Sequence, residues 1–223
     1  MRVVIVSDTH NLLSDVPIPD GDVLLHCGDW TESGTEAEVK LFAEHLQKFP
    51  HKTKIVIAGN HDMLADSNPI DTKLILGKTC NYLNNSSIVV DGLKFYGSPY
   101  TPSIWRWAFN LPTKISRFLC WQAIEQDTDI LITHGPPYSI RDLCDDMTPA
   151  GCEELYDRVK KLPNLKLHTF GHIHESYGSY RPSWTETLFV NASTCNRLYE
   201  PMNPPVVLDY VNERFVNVGE TDI

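Results

Sequence analysis

Apolar residues along this chain fall in short runs, and each run gives way to glycine or to side chains that bind protons and metals. Residues 2–7, 22–26 and 54–58 are dense in Val, Ile and Leu, the composition of strands buried on both faces. Between the second and third runs, Thr35-Glu36-Ala37-Glu38 reads as a capping box, with Thr35 as N-cap and Glu38 reaching back to it. Beyond it Val39, Phe42, Leu46 and Phe49 recur at helical spacing and make one apolar face. Pro50 ends that helix. Residues 87–90 and 93–96 flank Asp91-Gly92, the dipeptide of a tight hairpin. The pattern then predicts a helix over 118–126, a strand over 129–133 and a charged amphipathic helix over 152–162. Strands follow over 166–170, 187–191 and 206–211. Strands alternating with helices predict an α/β fold, and the late strands without helices between them call for mixed pairing. Two mixed sheets between helical layers satisfy both. No linker, repeat or low-complexity tract interrupts the 223 residues, so 1–223 is expected to form a single domain.

The polar residues that close these strands carry the chemistry. Residues 2–7 run into Asp8-Thr9-His10, and 22–26 into Gly28-Asp29. Residues 54–58 run into Gly59-Asn60-His61-Asp62, 129–133 into His134-Gly135-Pro136-Pro137, and 166–170 into Gly171-His172-Ile173-His174. In α/β sheets ligands gather at the carboxyl ends of strands, so these ends can converge on one crevice. In extended chain, residues i and i+2 face the same way, so Asp8 with His10, and His172 with His174, can each approach a common ion. Asp29 has two oxygens and can bridge two cations. Carboxylate, amide and imidazole together suit Mn²⁺, Fe or Zn²⁺ better than Mg²⁺ or Ca²⁺.

The ordered set Asp8-x-His10, Gly28-Asp29, Gly59-Asn60-His61-Asp62, His134 and Gly171-His172-x-His174 resembles the calcineurin-like metallophosphoesterase superfamily. The strings Tyr96-Gly97-Ser98-Pro99, Trp107-Ala108-Phe109-Asn110, Asn191-Ala192-Ser193 and Asn203-Pro204-Pro205 resemble its metallophosphoesterase-domain-containing branch. The resemblance implies a four-layer αββα sandwich and a phosphoric ester hydrolase with a binuclear metal centre, Mn²⁺ first among the ions. It also implies the ligand sets: Asp8, His10, His174 and Asp29 for one ion, and Asn60, His134, His172 and the shared Asp29 for the other. A water activated between two such ions would be the nucleophile. His61, outside both sets, would protonate the leaving alkoxide or stabilise the charge of the transition state, with Asp62 orienting its ring. Asn60 and His61 would also meet the substrate. Protein phosphatases of the superfamily follow Gly-Asp with an Asp-Arg-Gly string; here Gly28-Asp29 runs into Trp30-Thr31-Glu32, which argues against that activity.

Charge refines the substrate. The chain carries a formal −10, a poor match for the backbone of an extended nucleic acid. Two divalent ions with Asp8, Asp29 and one hydroxide leave a net +1 at the centre, which suits a singly charged phosphodiester. A dianionic monoester would call for a further cation such as Arg106, Lys114, Arg117 or Arg141. Residues 100–109 are dense in aromatics, and Trp105 and Trp107 are candidates to stack on a nucleobase, with a packed loop or an interface as the alternative. The expected activity is therefore hydrolysis of a small, nucleotide-like, even cyclic, phosphodiester. The competing readings are a phosphomonoesterase, a nuclease on short strands, and a metal-free protein-binding scaffold. Six cysteines without CxxC spacing and the absence of a long apolar run place the expected protein in the cytoplasm, with reduced thiols and no membrane contact.

Overall fold

The computed structural model describes residues 1–103 and 105–218, so Ile104 of the aromatic segment and residues 219–223 lie outside it. The strands in chain order are β1 Arg2–Val6, β2 Val23–Cys27, β3 Thr53–Ile57, β4 Asn81–Tyr82, β5 Ser86–Val90 and β6 Leu93–Ser98. The short strands β7 Thr101–Pro102 and β8 Asn110–Leu111 follow. After them come β9 Ile130–Thr133, β10 Leu167–Phe170, β11 Gly178–Tyr180, β12 Leu188–Asn191, β13 Val206–Val211 and β14 Arg214–Asn217. The α-helices are α1 Glu36–Gln47, α2 Met63–Ser67, α3 Pro69–Leu76, α4 Lys114–Gln122 and α5 Glu153–Val159. Among the described residues the strands build two six-stranded sheets, ordered β14-β13-β1-β2-β3-β4 and β11-β12-β10-β9-β6-β5. Both are mixed: β1 to β4 run parallel with antiparallel β13 beside β1, and β12, β10, β9 and β6 run parallel between antiparallel β11 and β5.

Strand alternation assigns the layers. Val3, Ile5, Leu25, Cys27, Ile55 and Ile57 point at the second sheet, where Phe95, Ile130, Ile132, Leu167 and Val190 meet them. Val4, Val6, Leu24 and Val56, one residue out of phase, face Val39, Phe42 and Leu46 of α1 and Leu76 of α3. On the far side Tyr96, Leu131 and Phe189 face Trp121 of α4 and Leu155 and Val159 of α5. The result is helices, sheet, sheet, helices: the four-layer αββα sandwich. These strands bury both faces, which is why their sequences read as continuous apolar runs. No helix of the described residues is long and apolar enough to cross a membrane.

The capping box forms as the sequence predicts. Thr35 Oγ1 accepts from the Glu38 amide at 3.3 Å, and Glu38 accepts from the Thr35 amide at 2.7 Å. Two helices differ from expectation. The helix expected over 118–126 begins earlier, at Lys114, behind a Thr113 cap, and the one expected over 152–162 is trimmed to Glu153–Val159. What matters for function is polarity: β1, β2 and β3 run parallel to one another, and so do β9, β10 and β12. A parallel bridge between Ser7 and Ser193 aligns the two sheets at their carboxyl ends.

Candidate metal centre

All the motif residues gather at that aligned edge. Asp8, His10, Asp29 and His172 each turn the chain out of a strand with φ between +40° and +71°, the left-handed region that non-glycine residues seldom adopt. The turns are held by hydrogen bonds across strands: the Asp8 amide donates to the Gly28 carbonyl at 2.9 Å, and the His10 amide to the Asp29 carbonyl at 3.1 Å. Asp8 reaches across to the second sheet, where the His172 amide donates to its two oxygens at 3.1 and 3.0 Å. Ser193 Oγ donates to Asp8 Oδ2 at 2.9 Å, and His174 Nε2 lies 3.5 Å from Oδ1.

Asp29 makes the matching reach from β2. Its Oδ1 accepts the His61 amide at 2.8 Å, and its Oδ2 lies 3.2 Å from His134 Nε2. Asn60 Oδ1 sits 2.9 Å from the same His134 nitrogen. Ligand-competent atoms therefore cluster as Asp8, His10 and His174, and as Asp29, His134 and His172, with His10, Asp29 and His61 linking them. Asn60 belongs beside the second cluster. Two of these clusters fall within the ligand sets that the resemblance implies, and the third brings His61, expected outside both, within reach of His10 and Asp29.

The donor set fits divalent cations on independent grounds. His10 is 4% exposed, and neither ring nitrogen has a hydrogen-bond partner. A buried imidazole with both nitrogens orphaned is costly unless something coordinates it. Burial pulls His10 and His172 down to about 4, so both present neutral lone pairs. For Asp8 and Asp29 burial opposes the charge most strongly. The neighbouring imidazoles nevertheless prevail, His174 for Asp8 and His134 for Asp29, and hold both carboxyls below the ordinary carboxylate range. Burial likewise pulls down on His134 and His174, but their carboxylate partners raise both to about 9. Other ring nitrogens are anchored. His134 Nδ1 meets the Cys27 carbonyl at 2.9 Å and His174 Nδ1 meets the Asn196 carbonyl at 3.0 Å, which aims each Nε2 into the centre.

One expectation is corrected. Asp62 does not orient the His61 ring. Its carboxylate accepts from the amides of Asp29, Thr31 and Gly59 and from Thr31 Oγ1, at 2.6 to 3.0 Å. Burial, and after it the Asp29 charge, push Asp62 up to about 8 against the pull of those donors. It also makes no side-chain cap to α2. Asp62 is the brace that locks the Gly28-Asp29 turn to the Gly59-Asn60 turn. The His61 ring is oriented instead by the Glu32 carbonyl, 2.6 Å from Nδ1, a backbone group that no side-chain pattern announces.

The two tryptophans part company. Trp107 lies against His61 with ring centroids 4.2 Å apart. Trp105 is 89% exposed, and among the described residues no ring contact ties it to the clustered carboxylates and imidazoles. Ala108 and Phe109 are buried, and Tyr100 packs edge-on to Phe109 at 5.5 Å, so this part of the segment is packed core. Sequence reasoning passed over Tyr199, whose ring lies 4.7 Å from His10 and 5.6 Å from His174. It gave Ser193 no role either, although the string Asn191-Ala192-Ser193 contained it.

Residues 1–176 match the family described as calcineurin-like phosphoesterase. The chain is 41% identical to Metallophosphoesterase domain-containing protein 1 of Homo sapiens, over 96% of this chain and 72% of that protein. It is 36% identical to UPF0046 protein K07C11.7 of Caenorhabditis elegans, over 93% of this chain and 74% of that one. The crystal structure of TT1561 of Thermus thermophilus superposes with a TM-score of 0.64, covering 97% of both chains at 12% identity, a likeness of fold. Carboxylates and imidazoles from two sheets converge on one edge, and the relatives span nearly the whole chain, so the chain belongs to the calcineurin-like phosphoesterase family.

Proposed function

We propose that this member of the family is a binuclear-metal phosphodiesterase acting on a small, nucleotide-like diester, with Mn²⁺ as the preferred ion and Fe or Zn²⁺ as substitutes. The observation that carries the choice of diester is the charge of the centre. Its donors are carboxylates, an amide and imidazoles, and most of the cations that could supplement them are engaged elsewhere. Arg117 pairs with Glu154 at 2.7 Å, Lys114 with Glu153 at 3.6 Å, and Arg141 donates to the Ser179 carbonyl at 2.6 Å. A monoanionic diester needs no extra cation; a dianionic monoester does.

Asp8, His10 and His174 would hold one ion and Asn60, His134 and His172 the other, with Asp29 between them. When bound, the ions would polarise the phosphoryl oxygens and lower the pKa of the attacking water toward ~7. The remaining work falls to side chains. Glu32 fixes Nδ1 of His61 as the protonated nitrogen of the neutral ring, so a proton taken up at Nε2 is the one delivered to the leaving oxygen. Trp107, against the His61 ring, excludes water from one side of that proton's path and offers a flat face to the substrate.

The test compares kcat/KM of Mn²⁺-loaded protein on a bis-aryl phosphate and on its mono-aryl counterpart. We expect the diester to be preferred, with close to two ions bound per chain. A monoester preferred tenfold or more would overturn the choice of diester. A correctly folded protein that binds no metal would leave the scaffold reading.

A further inference from the structure

Tyr199 has no part in the ligand sets, yet its ring stands over them. Its centroid lies 4.7 Å from His10, 5.6 Å from His174 and 6.1 Å from His61. Trp107 lies on His61 at 4.2 Å. His61 thus has an aromatic ring from each of two separate loops beside it. Both rings remain partly open, Tyr199 at 45% and Trp107 at 36% exposure, so each keeps a face for a ligand.

Each loop is fastened to a strand-end turn of the metal centre. The Asn196 carbonyl accepts both the Tyr199 amide at 2.9 Å and His174 Nδ1 at 3.0 Å. Asn196 Oδ1 accepts the amides of Leu198 at 2.8 Å and Glu200 at 3.1 Å, and an Arg197–Asp145 ion pair clamps the outside of the turn. Tyr199 is held there at φ +59°, a conformation that a large side chain adopts only when its surroundings impose it. On the other side the Ala108 amide donates to the Asn60 carbonyl at 3.0 Å, which fixes Trp107 to the turn that carries His61. Two pre-positioned aromatic faces beside a proton donor are suited to a planar group bonded to the leaving oxygen.

We propose that Tyr199 is a specificity-determining residue, which with Trp107 forms a slot over His61 for a planar aromatic leaving group, an aryl or nucleoside alcohol. The proposal rests on the phosphoesterase reading of the centre, and its test is a binding measurement that needs no turnover. The monoanionic methyl esters of phenylphosphonate and methylphosphonate, which match the charge of a diester, would be titrated calorimetrically into Mn²⁺-loaded wild type, Tyr199→Phe and Tyr199→Leu. Tyr199→Asn serves as a second non-aromatic variant, since Asn tolerates positive φ.

Wild type and Tyr199→Phe should favour the phenylphosphonate ester by about tenfold or more, as expected for one aromatic stack. The non-aromatic variants should lose most of that preference, while affinity for the methylphosphonate ester stays within about twofold and metal content is unchanged. The methyl ester of adenosine 5′-phosphonate against that of ribose 5-phosphonate then separates the two sources of the ring. A gain for the base identifies a nucleoside, and a gain for phenyl alone identifies an aryl alcohol. Equal weakening of both simple phosphonates, loss of metal with Tyr199→Leu and Tyr199→Asn, or an undiminished phenyl preference would overturn the slot. A wild type that shows the binding preference but turns over no phosphoester would refute the activity and leave the slot standing.

Discussion

Each of Asp8, His10, Asp29 and His172 holds a left-handed backbone, which costs a non-glycine residue roughly 1–2 kcal/mol. Strain of this kind persists only where surrounding hydrogen bonds fix the turn, and here Asp62 and Asp8 supply them from their carboxylates. The tight turns also leave no room for added atoms. A Cβ at Gly171 would overlap Asp8 Oδ2 and Ser7 Oγ. Gly171→Ala should therefore displace Asp8 and weaken metal binding by an order of magnitude or more, with little loss of secondary structure. Metal titration with circular dichroism checks this; unchanged affinity would mean that the turn yields. His61→Ala makes the opposite prediction. Because His61 is anchored by Glu32, metal content should hold while kcat falls ~10²–10⁴-fold, and the loss should shrink with acidic leaving groups. Steady-state kinetics on nitrophenyl and alkyl esters measure it, and metal lost with activity would make His61 a ligand. The side chains that cluster at the sheet edge were legible in the sequence because each follows a strand. The roles of Asp62 and Glu32 were not, because they depend on which backbone groups lie near in space.

At the scale of elements, β2 and β10 each carry a buried histidine that braces a ligand turn. His26 Nε2 meets Thr9 Oγ1 at 2.9 Å, between Asp8 and His10, and His168 Nε2 meets Thr133 Oγ1 at 2.8 Å, next to His134. Burial holds both rings down to about 3. The sign follows directly. An unfolded histidine takes up a proton below about pH 6.5 while these folded ones stay neutral, so stability is lost as pH falls from 6.5 toward 3. At pH 5 each should cost about 2 kcal/mol relative to pH 7. Urea unfolding in chelator at both pH values reads this. His168→Leu should make the pH dependence shallower by about that amount, and an unchanged dependence would reject the assignment. Such residues look unremarkable in sequence, a lone histidine within an apolar run. Strands that bury both faces and the capped α1 were legible because period and composition agree. The start of α4 was not, because Ile115, Phe118 and Leu119 are all largely exposed and their spacing marks no buried face. Nor were α3, with Ile70 and Leu74 exposed, or β11 and β14, which carry little apolar pattern.

For the molecule as a whole, the centre is a seam between two sheets. Asp8 and Asp29 come from the first sheet, and His134, His172 and His174 from the second. In the chain as described, the seam is held by the hydrogen bonds that the His172 amide and the Ser193 hydroxyl donate to Asp8 and by the 3.2 Å approach of Asp29 to His134. An ion bound at either cluster would join side chains from both sheets and would favour the folded state alone. Binding at a hundred times Kd stabilises by about 2.7 kcal/mol per site. For a chain of this size each kcal/mol raises Tm by about 2–4 °C, so two occupied sites should raise it by roughly 10–20 °C. Asp29 stands between the clusters, so Asp29→Asn should lose most of the increase from both, whereas Asn60→Ala should lose only one site's share. Scanning calorimetry across a Mn²⁺ titration separates these outcomes. If the Tm of folded wild type does not move with Mn²⁺, the ions do not bind across the seam. If Asp29→Asn and Asn60→Ala lose equal shares, Asp29 serves one ion, and the nucleophile would then have to be activated at a single metal.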